Sequence, residues 1–135
     1  MRFSQLHHCG VVVQDLERSA AFYRDVLGLT EIAIPSTFPA AGLRVRWFHL
    51  GSQHVHILLG SESSPLSQRH MALQVDDASA ARVRLQARNI ETEETVPIPG
   101  ADRFFIRDPD GNQIEIIEWK EAYAAVPVRR GDHRE

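Results

Sequence analysis

The sequence predicts an α+β protein built from two tandem copies of one strand–helix–strand–strand–strand (βαβββ) unit. Three observations carry this. Several apolar runs alternate with a period near two, as half-buried strands do. Two other stretches repeat at helical spacing, each behind an aspartate placed where a helix N-cap belongs. The halves also share their spacing: His8 stands seven residues before Asp15 and His70 seven before Asp77. These matches keep chain order at a period near sixty residues, the signature of an internal duplication.

Residues 6–14 form the first strand, and Asp15 caps a helix whose apolar stripe is Leu16, Ala20, Tyr23 and Leu27. Gly28 closes that helix in the left-handed conformation. Residues 30–35 are a second strand and 35–42 a loop rich in proline and glycine. Residues 43–50 and 54–59 are strands joined by a turn at Gly51-Ser52, which completes a first module over 1–60. A small, polar, turn-rich run places a linker at 61–67. The second module, 68–121, starts on a strand around His70 and continues with a helix capped by Asp77 and striped with Ala78, Ala81 and Leu85. Asn89 is its left-handed stop. Strands follow at 90–96, 103–107 and 113–119, the last two joined by the tight turn Asp108-Pro109-Asp110-Gly111-Asn112. In this alignment Trp47-Phe48 match Phe104-Phe105, and Val55-His56-Ile57 match Ile114-Glu115-Ile116. The two modules are expected to form one domain. The tail, 122–135, is charged and aperiodic, and is expected to be mobile or to lie on a partner.

Bulk composition narrows the function. The chain has 135 residues, 43% hydrophobic and 24% charged, which suits one globular core. Net charge is −3 and no Lys/Arg run precedes the tail, so nucleic acid is not an expected partner. No long apolar stretch or cleavage signal occurs, which points to a cytoplasmic protein away from the membrane. The single cysteine, Cys9, cannot form an internal disulfide. That fits a reducing compartment, where a metal site draws on histidine and carboxylate.

Strand parity then sorts the side chains. His8, Gly10 and Val12 share one face of their strand; His70, Ala72 and Gln74 share another; Glu115 and Ile117 a third. The apolar-rich opposite set packs on the helices. His8, His56, His70 and Glu115 are left on the open face beside the small residues Gly10 and Ala72. Three imidazoles and a carboxylate are the donor set of a divalent metal. His7, His49, His54 and His133 read as ordinary solvated or hydrogen-bonded histidines, although His54 shares the parity of His56 and is either its hydrogen-bond partner or a rim residue. Cys9, on the helix side, reads as packing. Arg103 and Arg107 share one face, which meets either an anionic substrate or solvent.

Four stretches together resemble the vicinal oxygen chelate superfamily, which includes glyoxalase I, methylmalonyl-CoA epimerase, extradiol dioxygenases and fosfomycin-resistance enzymes. They are His8 through Asp15-Leu16-Glu17, Phe22-Tyr23-Arg24-Asp25-Val26-Leu27-Gly28-Leu29, His70-Met71-Ala72-Leu73-Gln74-Val75-Asp76-Asp77, and Asp108-Pro109-Asp110-Gly111-Asn112-Gln113-Ile114-Glu115. The resemblance implies paired βαβββ modules curving into an open, barrel-like cup around one divalent ion (Ni, Zn, Mn, Co or Fe), usually in a homodimer. It puts His8, His70 and Glu115 at the three most common ligand positions. His56 takes the fourth, where glyoxalase I and the epimerase carry Glu or Gln. The implied activity is a glyoxalase-like lyase or isomerase that moves a proton on a small, metal-chelating, oxygenated substrate, with Glu115 and His56 as catalytic groups. Two alternatives accompany it. If His56 points away, His8, His70 and Glu115 form the two-histidine, one-carboxylate face of an Fe(II) extradiol-type dioxygenase. A metal-free cup would be a drug-binding protein of the bleomycin-resistance kind.

Overall fold

The computed structural model describes residues 1–39, 44–61, 67–123, 125–129 and 131. The elements run β1 (His8–Val13), α1 (Leu16–Ala21), β2 (Thr30–Ile32), β3 (Val45–Leu50), β4 (Gln53–Leu59), β5 (His70–Gln74), α2 (Ala78–Gln86), β6 (Glu93–Glu94), β7 (Ala101–Arg107) and β8 (Gln113–Trp119). They make two four-stranded mixed sheets, ordered β1-β4-β3-β2 and β5-β8-β7-β6. In each, the first strand lies parallel to the last and the remaining pairs are antiparallel. The duplication expected from the sequence is thus repeated in topology.

Both helices start on the expected caps. The Asp15 carboxylate accepts from the Arg18 backbone N–H at 3.0 Å, and the Asp77 carboxylate from that of Ala80 at 2.9 Å. Each satisfies an orphan donor of the first turn. After Ala21 the first helix widens into a π-helical turn over Phe22–Val26, where the Leu27 N–H donates to the Phe22 carbonyl at 3.0 Å. Gly28 then reverses the chain at φ 74°, and Asn89 does the same for α2 at φ 60°. Asparagine tolerates that left-handed region better than most side-chain-bearing residues.

The helix-facing sides of the sheets supply one continuous core. Val13, Phe48, Val55 and Ile57 meet Ala20 and Tyr23 from the first half, and Leu73, Ile106, Ile114 and Ile116 meet Ala78 and Leu85 from the second. Cys9, half-buried, is on this side of β1 next to Val11.

Several expectations change. The strand expected over 90–96 contracts to β6, because pairing with β7 is confined to Glu93↔Phe105 and Glu94↔Phe104. The strand over 30–35 contracts to β2. The register also shifts the alignment of the halves by one residue: Trp47 lies opposite His56, and Phe105 opposite Glu115, so Trp47 corresponds to Phe105 and Phe48 to Ile106. The cause is the turn length. Two residues, Gly51 and Ser52, connect β3 to β4, whereas five, 108–112, connect β7 to β8. Most of the linker (62–66), the loop segment 40–43 and the tail residues 124, 130 and 132–135, His133 among them, lie outside the described residues. No helix among the described residues is long and apolar enough to cross a membrane.

The five-residue turn ties the two sheets together. Asp108 is buried, and its Oδ1 accepts from the backbone N–H groups of Asp110 and Asn112, both at 2.9 Å. Its Oδ2 accepts from the Tyr23 hydroxyl at 2.9 Å and from Asn112 Nδ2 at 2.8 Å. The same Asn112 amide donates to the Val12 carbonyl at the end of β1, at 2.9 Å. Asp110 continues outward, accepting from the Gln14 N–H, Arg18 Nη2 and Ser19 Oγ at 3.2, 2.9 and 3.2 Å. Burial, reinforced by the adjacent Asp108 carboxylate, holds the Tyr23 phenol far above its usual range, so the hydroxyl keeps its proton and donates. Tyr23→Phe removes one donor from a buried carboxylate and should destabilise the protein by about 1–3 kcal/mol. Urea unfolding midpoints of the two proteins check this; an unchanged midpoint would show that the bond is not made.

Candidate metal centre

Register places the four expected ligands in equivalent positions on the two open faces. On the first sheet Gly10, His56 and Trp47 form one row across β1, β4 and β3, with His8, His54 and His49 in the next. On the second, Ala72, Glu115 and Phe105 form the matching row, with His70, Gln113 and Arg107 beside it. His8 therefore corresponds to His70, and His56 to Glu115. Glycine and alanine stand opposite His56 and Glu115, and the Leu58 side chain closes in on Gly10, 3.2 Å from where a Cβ would stand.

The second-sheet pair is arranged as two ligands of one ion would be. Glu115 is buried, and its Oε2 lies 3.3 Å from His70 Nε2, on an exposed ring. Donor atoms about 2.1 Å from a metal and at right angles to each other are about 3.0 Å apart. His70 Nδ1 lies 2.9 Å from the Gln68 carbonyl. A proton on Nδ1 makes that contact a hydrogen bond and leaves Nε2 as the lone-pair nitrogen, the second-layer arrangement that orients ligating histidines. The His70 ring also meets the edge of Phe105 at 5.2 Å between centroids.

The first-sheet pair is arranged differently. His56 is buried and sandwiched, its ring 4.0 Å from the Trp47 indole at 3° and 4.2 Å from His8 at 20°. Near-parallel rings carry their lone pairs side by side, so His8 and His56 do not converge on a single point in these rotamers. His8 is exposed and tethered at its edge by His7, with the two Nδ1 atoms 2.9 Å apart. His54 Nδ1 stands 3.3 Å from His56 Nε2, so of the two roles open to His54 the structure favours hydrogen-bond partner. Burial pushes His56 down to about 4, and the neighbouring His8, His54 and His7 add to this. At neutral pH His56 is a neutral imidazole with one nitrogen free of a proton.

Two contacts were not foreseen. Trp47 forms the wall of the His56 slot, and its strand parity was the available signal. Arg103, expected to meet either an anion or solvent, instead donates from Nη1 to Glu115 Oε1 at 2.9 Å. Arg107 is directed to the Gly111 carbonyl, 2.9 Å from its Nη1.

The donor chemistry fits a divalent ion, but the two pairs lie on separate sheets. Among the described residues no three His, Cys, Asp or Glu side chains are grouped to hold a metal. The structure brings His70 to Glu115 and His8 to His56, and does not bring the four together within one chain.

Comparison with known proteins agrees with this architecture. The model of the Glyoxalase/Bleomycin resistance protein/Dioxygenase superfamily matches residues 5–116. A lactoylglutathione lyase of Salmonella typhimurium is 34% identical over 130 residues, covering 87% of this chain and 95% of its own. A mitochondrial methylmalonyl-CoA epimerase of Mus musculus is 29% identical, covering 90% and 75%. The crystal structure of a glyoxalase family protein from Bacillus anthracis superposes with a TM-score of 0.79 at 30% identity, over 89% of this chain and 100% of that one. Fold and family match lead to one conclusion: the chain belongs to the glyoxalase/bleomycin resistance protein/dioxygenase superfamily.

Proposed function

We propose that this protein is a metal-dependent lyase or isomerase that moves a proton on a small, oxygen-chelating substrate, acting as a homodimer in the cytoplasm. The observation that carries this is the His70–Glu115 pair, a buried carboxylate oxygen and an imidazole nitrogen at ligand spacing. The relatives named lactoylglutathione lyase and methylmalonyl-CoA epimerase support the reaction class.

Because each chain carries two half-sites on separate sheets, a second copy is the means of uniting them. His8 and His56 of one protomer would face His70 and Glu115 of its partner. A bound divalent ion supplies Lewis acidity, polarising a substrate carbonyl so that the neighbouring C–H becomes acidic. The protein groups do the rest. Glu115, the one carboxylate among the four, takes and returns the proton on Oε1, at the lone pair that its bond from Arg103 leaves open. His56, kept neutral by burial, offers a lone pair and no charge. Trp47 and Phe105 line the two floors and limit water around the reacting carbon. A single carboxylate acts from one side, so the enzyme should accept mainly one stereochemical form of its substrate.

Two measurements test this. Purified without an affinity tag or chelator, the protein should hold one divalent ion per chain, and His8→Ala and Glu115→Ala proteins should each lose most of it. Unfolding and co-refolding the two variants together should restore about a quarter of the wild-type metal content, since half the dimers are mixed and each mixed dimer has one intact site. No recovery would place the site within a chain. In the second, hemithioacetals of α-oxoaldehydes should be converted with solvent deuterium entering one stereochemical position. Iron-dependent oxygen uptake with catechols would instead establish a dioxygenase, and binding of an antibiotic without turnover under any metal a sequestering protein.

A further inference from the structure

Arg103 reaches Glu115 from β7, where it stands opposite Ile117 on the open face of the second sheet. Its guanidinium is spread over two partners. Nη1 donates to Glu115 Oε1 at 2.9 Å, while Nε and Nη2 both donate to the Val96 carbonyl at 3.1 and 2.8 Å. The side chain is 16% exposed and that of Glu115 9%, so the pair is shielded from solvent. The guanidinium carbon also lies 5.9 Å from the Phe105 ring centroid. A planar fork held at one end by a backbone carbonyl has little freedom to follow a carboxylate that turns.

The two oxygens of Glu115 therefore have different environments: Oε1 is bound by Arg103, and Oε2 faces His70 Nε2. We propose that Arg103 is a positioning residue that holds Oε1 of Glu115 and restricts the carboxylate to ligation through Oε2 alone. This rests on the metal-site function proposed above. Its consequence is selectivity. Larger, oxygen-preferring ions such as Mn²⁺ accept two-oxygen carboxylate ligation readily, whereas Ni²⁺ is suited by imidazole and strict geometry. Arg103 removes the option that would favour the larger ion.

The test compares wild type, Arg103→Gln, Arg103→Lys and Glu115→Gln as metal-stripped proteins titrated calorimetrically with Mn²⁺ and with Ni²⁺. A change in charge acts alike on two divalent ions, so the ratio of the two affinities reports how the carboxylate ligates. Arg103→Gln should raise the Mn²⁺ to Ni²⁺ affinity ratio by about tenfold, the lower end of second-layer effects on metal sites. Arg103→Lys, which keeps the charge without the fork, should shift the ratio in the same direction by less, and it decides the matter if the glutamine variant does not fold. Glu115→Gln should abolish tight binding of both ions. If Glu115→Gln loses the ions while the Arg103 variants keep the wild-type ratio, the positioning role is overturned and the metal site stands. If Glu115→Gln binds both ions as wild type does, the metal site fails and the positioning role with it.

Discussion

The buried carboxylate of Asp108 is the point on which the arrangement of the two sheets depends. Two backbone N–H groups, a tyrosine hydroxyl and an asparagine amide converge on it. Removing a charge from water is costly unless hydrogen bonds replace the lost hydration, and here each oxygen has two. The replacement donors come from both halves of the chain: Tyr23 follows the first helix, and Asn112 also binds the Val12 carbonyl at the end of β1. Satisfying Asp108 therefore fixes β1 against the start of β8, and with it the placement of His8 relative to Glu115. The lock and a candidate ligand adjoin one strand, with Asp108 and Asn112 just ahead of β8 and Glu115 two residues inside it.

Each sheet also carries an arginine clamp on its helix side. Arg46 of β3 binds Glu31 of β2 and Glu17 of α1, while Arg82 of α2 binds Asp102 of β7 and Glu94 of β6. The cation sits on a strand in one half and on the helix in the other. The outcome is the same short edge strand held in place. Pairs of this kind that solvent still reaches contribute little individually, about 0–1 kcal/mol. Their effect is directional: they hold β2 and β6, each too short to be secured by its ladder alone, and so define the outer limit of each open face.

Much of this was legible in the sequence. The caps Asp15 and Asp77, the left-handed Gly28 and Asn89, and the span of β8 follow from local rules, because a cap or a turn involves only neighbours in the chain. Parity identified which face His56 and Glu115 take. What parity cannot state is how one face stands toward another, and that is why four candidate ligands expected on one open face stand as two pairs on two sheets. The one-residue error between Trp47 and Phe105 has the same origin: strand register is set by hydrogen bonding across the ladder and by the turn. The Arg103–Glu115 bond joins residues on neighbouring strands across the β7–β8 turn, so no short window contains it.

The unequal turns of the two halves give the duplicated chain a polarity. Tyr23 and Leu85 stand at the same offset from their helix caps, yet one presents a hydroxyl and the other an apolar side chain buried in the core. Likewise, the hairpin after β3 has no counterpart of Asp108. Two identical units would either both reach across to each other or both fail to; here one half provides the arm and the other the socket. Fusion into one chain permits that division of labour, since neither half must be self-complementary. Descendants of such a fusion can drift apart in the surroundings of His56 and Glu115 while the asymmetric lock at Asp108 keeps the halves in register.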